Sequence, residues 1–246
     1  KPFIGLKMML QMLPKLTPAQ TRNYSEDLDI SIRKVDAMLT DIMEASRKMK
    51  YELVPQNILT ILDLAIKGVS RYPPNKNIDF YYDLDIVALI ALDEQRMCRT
   101  FENIIDNAFG FLPDKGGIIW FSIKEKNNKA EIIIGNIHSH IPEDKINKIF
   151  QDKFTLGKKS GTGVGLSIAT KVIKGHNGSI TVKNVQNAPG FVPENIRNIQ
   201  GVEFTISLPL TKQPGYSLKD SLFKNSEEAK ATLGMVKKES PLAGSL

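Results

Sequence analysis

Residues 99–112 read RTFENIIDNAFGFL, and the placing of this stretch decides the fold. Residues four apart lie above one another on a helix, so Arg99, Asn103, Asn107 and Phe111 share one stripe, while Ile104, Ile105 and Ala108 mark a buried side. Asparagine is a weak helix-interior residue because its side chain competes for backbone hydrogen bonds. Two of them one turn apart need a use that offsets this cost. A pair of amide oxygens on one stripe can hold a hard cation or orient a phosphate. For the helix taken alone, capping or surface positions are the other reading.

A second stretch, residues 161–168, reads GTGVGLSI and runs into the helical pattern IATKVIK. Glycines at alternate positions let backbone N–H groups turn towards an anion, and the helix that follows adds the positive end of its dipole. That combination suits a triphosphate. The strand that precedes a dinucleotide-binding turn is missing, and the pattern GxxxxGK[ST] does not occur.

Between them stands IFxxxFT (Ile149, Phe150, Phe154, Thr155), and beyond them HNGSITV (residues 176–182) and VEFTISLPL (residues 202–210). In this order and at these spacings the motifs resemble the ATP-binding domain of sensor histidine kinases over roughly residues 51–210. The resemblance implies an α+β fold: a two-layer α/β sandwich of the Bergerat type, with a mixed sheet covered by helices on one face. Ahead of it the family carries an antiparallel helical hairpin that dimerises as a four-helix bundle.

The resemblance also implies site roles. ATP is expected between the asparagine helix and the glycine turn, with Asn107 as the Mg²⁺ ligand and Asn103 directed at the phosphates; these two are the expected catalytic residues. Phe111, Asn136, Lys158, Lys159, Gly161, Thr162, Gly163, Val164, Gly165 and Leu166 complete the expected nucleotide contacts. Residues 136–162 would form the lid, packed through Phe150 and Phe154 and supplying the cationic pair Lys158 and Lys159. Related ATPases of the same fold usually carry glutamate where Asn103 stands. A carboxylate there can activate water, whereas an amide spares ATP for a histidine nucleophile. Glu102 lies about 100° around the helix and should not substitute.

The chain departs from the family pattern in three places. The adenine loop, usually Asp-x-Gly-x-Gly, here reads Asn136-Ile137-His138-Ser139-His140, so the charge-assisted bond of an aspartate to adenine is replaced by an amide's. Gly110 stands where the family favours a lysine. The phosphoacceptor histidine is expected just upstream of Lys1, because KPFIGL resembles the end of the family's acceptor motif and the three histidines, His138, His140 and His176, all follow the hairpin. The start of the chain and the altered adenine loop also resemble the hybrid kinases of quorum sensing.

Composition agrees with a globular protein. Of 246 residues, 41% are hydrophobic and 24% charged, enough for a sizeable core. The net charge of +6 is spread along the chain, which gives no nucleic-acid footprint. A single cysteine, Cys98, excludes an internal disulfide framework and reads as a core residue of a reducing compartment. No run approaches the ~20 apolar residues that span a bilayer. The expectation is a soluble, cytoplasmic chain, attached to a membrane only through a sensor region outside it.

In chain order, residues 1–50 read as the hairpin, with Leu28, Ile32, Val35, Leu39, Ile42 and Met49 at the alternating spacing of a coiled-coil seam. A hairpin cannot bury such a seam alone, so a homodimer is expected. Residues 51–211 read as the ATP-binding domain: a strand near residue 53, a helix over 56–70, strands over 78–84 and 86–92, the central helix, then strands over 117–124 and 130–136. Residues 212–246 are polar and read as a tail or linker, towards a receiver domain or a separate response regulator. The expected activity is transfer of the ATP γ-phosphoryl to histidine and on to a response-regulator aspartate. The alternative is a pseudokinase scaffold, favoured by the altered loop and the absent acceptor.

Overall fold

The structure is a computed structural model that describes residues 7, 10–12, 14, 17, 28, 32, 35, 50–69, 77–85, 89–152, 154–155 and 163–211. The chain divides into two compact units, Lys1–Lys50 and Tyr51–Leu246. In the first, Lys7, Leu10, Gln11, Met12, Leu28, Ile32 and Val35 are helical. Val35 is buried, whereas Leu10, Met12 and Ile32 are each about half exposed. The remaining seam positions, Leu39, Ile42 and Met49, lie outside the described residues.

The second unit is built on five strands: β2 (Ile78–Leu84), β4 (Gly117–Lys126), β5 (Lys129–Ile137), β6 (Ser179–Val185) and β7 (Gly201–Pro209). They lie in the order β2-β4-β5-β7-β6, with β2 parallel to β4 and the other pairs antiparallel. Two short strands, β1 (Val54–Gln56) and β3 (Ile90–Leu92), pair separately. Of the expected strand over 86–92, residues 86–88 lie outside the described residues and Ile90–Leu92 are strand, running straight into the Asp93 cap of the next helix. The β4–β5 hairpin closes with Asn127 and Asn128 at φ 51° and 59°. Two left-handed residues in a two-residue turn match the right-handed twist of the flanking strands, and asparagine tolerates that conformation.

Among the described residues three helices supply the second layer: α1 (Ile58–Val69), α2 (Glu94–Phe111) and α3 (Gly165–Gly175). In α1, Ile58, Leu59, Ile61, Leu62, Ala65, Ile66 and Val69 are buried, the i, i+3, i+4 stripe of an amphipathic helix. In α2 the buried set is Met97, Thr100, Phe101, Ile104, Ile105, Ala108 and Phe109. Asp93 caps it by accepting the Arg96 N–H, and Pro113 just beyond Leu112 forbids its continuation. Phe109 packs edge-on against Phe80 of β2 at 6.2 Å, which fixes the helix face of the sheet. In register across that face run Ile119, Asn136 and Val202, then Phe121, Ile134 and Phe204.

The other face is covered as well. The β6–β7 connection, which includes the short helix α4 (Glu194–Arg197), lays Ala188 and Val192 over Ile118, Trp120 and Ile137. Trp120 is fully buried and donates Nε1–H to Glu203 Oε1 at 3.3 Å, while Glu203 Oε2 pairs with Lys183 at 2.8 Å. Gly135 lies opposite Trp120, and a Cβ there would fall inside the indole ring. The mixed sheet with helices on one face is as expected; the second, smaller core on its far side was not.

Candidate functional site

The site is assembled by α2 and α3, which run antiparallel along the helix face. Asn103 and Asn107 are half-buried on α2, and Phe111 at its end is 39% exposed. Asn103 Nδ2 donates to Gly165 O, the first residue of α3, at a long 3.5 Å. A Cβ added to Gly165 would stand 3.3 Å from Asn103 Cγ and Oδ1, tighter than ordinary contact. The two stretches singled out in the sequence therefore touch.

At that contact α3 begins after its cap residue Val164, whose own side chain makes no capping hydrogen bond. Gly163, one residue earlier, has φ 70°, a backbone that an L side chain resists by about 1–2 kcal/mol. Gly163, Val164, Gly165 and Leu166 are all half-buried. A helix N-terminus without a capping side chain, approached through glycine, suits an anion. Lys158, Lys159, Gly161 and Thr162 lie outside the described residues.

Asn136 is 3% exposed on the helix face of β5. Its Nδ2 donates to Ile137 O at 3.1 Å and to Ser139 Oγ, so the amide hydrogens are spent on the loop itself and Oδ1 is its acceptor atom. His138 has φ 61°, so the loop keeps at that point the left-handed backbone that glycine serves most easily. His140 accepts on Nδ1 from Gln200 Nε2 at 2.7 Å. Both imidazoles are exposed, and no cluster of three His, Cys, Asp or Glu able to hold a metal ion occurs among the described residues.

Residues beyond the expected set support this site. Asn184 of β6 clamps the segment that follows β5, accepting the Ile141 N–H at 2.9 Å and donating to Ile141 O at 2.7 Å. Phe150 lies edge-on to Phe204 at 6.4 Å, which anchors that part of the segment on the helix face of the sheet. Glu102 turns towards Gly68 of α1, away from Gly165, and burial raises its carboxyl pKa against the lowering effect of Arg99. No spacing in the sequence could have found the Asn184 clamp, because it joins residues 43 apart. A cavity of about 470 Å³ between Trp120, Glu203 and Phe191 opens on the opposite face of the sheet and has no part in this arrangement.

Residues 92–212 match the family model described as histidine kinase-, DNA gyrase B- and HSP90-like ATPase. The globular unit is a histidine-kinase-type ATPase domain. The chain is 30% identical to the adaptive-response sensory kinase SasA of Crocosphaera subtropica over 200 residues, 78% of this chain and 47% of that protein. It thus spans about half the length of the curated relatives it matches. The catalytic domain of histidine kinase ThkA superposes on this kinase-type domain with a TM-score of 0.53 at 26% identity, covering 64% of this chain and 95% of that one. A structure of ThkA in complex with the response regulator TrrA shares the fold at 22% identity, with a TM-score of 0.60 over 87% of this chain and 59% of that one. No helix among the described residues is long and apolar enough to cross a membrane.

Proposed function

We propose that residues 51–211 bind Mg²⁺–ATP and transfer its γ-phosphoryl to a histidine, from which it passes to an aspartate of a response regulator or receiver domain. The observation that carries this reading is the contact of Asn103 with Gly165 at the start of α3. It sets an amide stripe beside a helix N-terminus, the arrangement a metal-bound triphosphate requires. Asn107 would hold Mg²⁺, Asn103 would orient the phosphates, and Asn136 Oδ1 would accept from the adenine amino group. The N–H groups of Gly163, Val164, Gly165 and Leu166 would face the phosphates, with Phe111, Lys158, Lys159, Gly161 and Thr162 completing the contacts. Mg²⁺ would supply charge neutralisation, and the protein's contribution is positioning. An amide at position 103 lacks the basicity to activate water, which favours transfer over hydrolysis.

The acceptor histidine is none of the three present. His176 is 2% exposed with both ring nitrogens engaged, and His138 and His140 belong to the adenine loop. Residues 1–50 are read as the hairpin that dimerises, the exposed Leu10, Met12 and Ile32 being available for a second copy. Residues 212–246 are read as a linker, and the cytoplasm as the compartment, with membrane attachment only through a region outside this chain. The test is incubation of the chain, extended to include an acceptor histidine, with radiolabelled ATP and Mg²⁺. Acid-labile, alkali-stable label on that histidine is the expected result. Nucleotide binding without label would favour the scaffold alternative, which draws support from the strained His138 backbone and the internally bonded Asn136.

A further inference from the structure

Among the described residues two side-chain hydrogen bonds tie α2 to α3, and the shorter is the one remote from Asn103. His176, which caps the C-terminus of α3, is 2% exposed. Its Nε2 accepts the backbone N–H of Asp93, the cap of α2, at 2.9 Å. Its Nδ1 donates to Val172 O, one turn back along α3, at 2.7 Å. Both bonds require one neutral tautomer, with the proton on Nδ1. Burial lowers the pKa of this imidazole and so favours that form, with a further lowering by Arg96 opposed by the Val172 bond and by Asp93.

The ring is held in place from a third side. Tyr51 packs edge-on against it at 5.1 Å and donates its hydroxyl to Lys171 O at 3.1 Å. The Arg96 guanidinium lies over the Tyr51 ring at 5.7 Å, and Gly175 gives Tyr51 the room that a Cβ would occupy. The charged and titratable groups around the imidazole are therefore Asp93 and Arg96 from α2 and Tyr51 from the segment before β1. On α3 itself the Lys171 ammonium turns to Asp152, and Lys174 is exposed.

The path from Asp93 to Asn103 along α2 and the path from His176 back to Gly165 along α3 are nearly equal, about 15 Å and about 16 Å at the helical rise. The helices stay in step between the two ties. At the site end the bond from Asn103 to Gly165 O is long and weak, so it cannot set their register by itself.

Resting on the nucleotide-site reading above, we propose that His176 is a positioning residue for that site. Its neutral imidazole fixes the register of α3 against α2, and hence the distance from the Gly163–Gly165 turn to the Asn103–Asn107 stripe. Protonation places an N–H on Nε2 opposite the Asp93 N–H, donor against donor, and releases the tie.

The experiment follows the Asp93 and Gly165 amide resonances of ¹⁵N-labelled chain from pH 8 to pH 5. It is combined with titration by a non-hydrolysable ATP analogue in wild type, His176→Gln and His176→Ala. In wild type the two amides, remote from each other, move with one midpoint below the ordinary histidine value, and nucleotide affinity falls over the same range. His176→Gln, whose side-chain oxygen can accept the Asp93 N–H, holds its affinity and loses the pH dependence. In His176→Ala the Gly165 resonance is displaced at every pH, and affinity drops about fivefold, the worth of one net hydrogen bond. A Gly165 amide that does not follow the Asp93 amide in wild type overturns the proposal, and so does unchanged affinity in His176→Ala. Should His176→Ala fail to fold, the wild-type and His176→Gln titrations still decide. If wild type binds no nucleotide, the functional reading falls, and the joint or separate titration of the two amides still settles the role of His176.

Discussion

Replacing His138 by glycine should stabilise the domain. His138 is an exposed residue at φ 61°, and its N–H donates to Gln200 O at 2.8 Å, so the left-handed backbone is held by the strand connection on the other side. A side chain in that region costs about 1–2 kcal/mol. Glycine removes this strain and returns about 0.5–1 kcal/mol through the greater freedom of the unfolded chain. The net gain is about 0.5–1 kcal/mol, which raises the midpoint of a domain this size by about 1–4 °C. His140→Gly is the internal control, because its backbone lies outside the left-handed region and its ring accepts from Gln200 Nε2. That variant loses both the bond and backbone entropy, a cost of about 1 kcal/mol. Differential scanning calorimetry of the two variants beside wild type reads the sign of each change directly. Opposite signs are expected; a lowered midpoint for His138→Gly, or equal shifts in the two variants, refutes the claim that the loop keeps a glycine-type backbone.

Gly135→Ala should cost about 3 kcal/mol in urea unfolding, since its Cβ would overlap the buried Trp120 ring, and Trp120→Phe in the same chain should restore part of the loss. The Cys98 thiol, pushed up to about 11 by burial and then by Glu102 and Glu94, should react with iodoacetamide at pH 8 roughly a hundredfold more slowly than an ordinary thiol, with the rate still rising through pH 10. His176 has a depressed pKa in the folded state, so the unfolded chain takes up a proton first as pH falls. Stability should be level above about pH 7 and decline below about pH 6.5. Chemical denaturation of His176→Gln should show a shallower acid limb than wild type.

Periodicity located the central helix, because Ile104, Ile105 and Ala108 have no other use than a buried stripe. Its start was less visible. The first turn, Glu94 to Arg96, is polar, and the true boundary is the Asp93 cap, a residue whose role depends on the helix that follows. Strands β4 and β5 were legible from their runs of isoleucine and aromatic residues. That the run Ile118 to Ile123 is continuous and not alternating signals burial on both faces, and the structure puts Trp120 under Val192 and Ala188 for that reason. The covering segment itself has no helical or strand period, so nothing in residues 186–200 announces that it packs on a sheet. Asn103 and Gly165 belong to the two stretches that the sequence singles out, and they touch, whereas the ties made by His176 and Asn184 join residues far apart in sequence and depend on the finished fold.

The asparagine stripe and the start of α3 are proposed to form a metal-dependent nucleotide site. Calorimetric titration of the chain with a non-hydrolysable ATP analogue, with and without Mg²⁺ and again in Asn107→Ala, tests it most directly. Binding should strengthen with Mg²⁺ in wild type and lose that metal dependence in Asn107→Ala. No binding at millimolar nucleotide, or an affinity indifferent to both Mg²⁺ and the substitution, would contradict it.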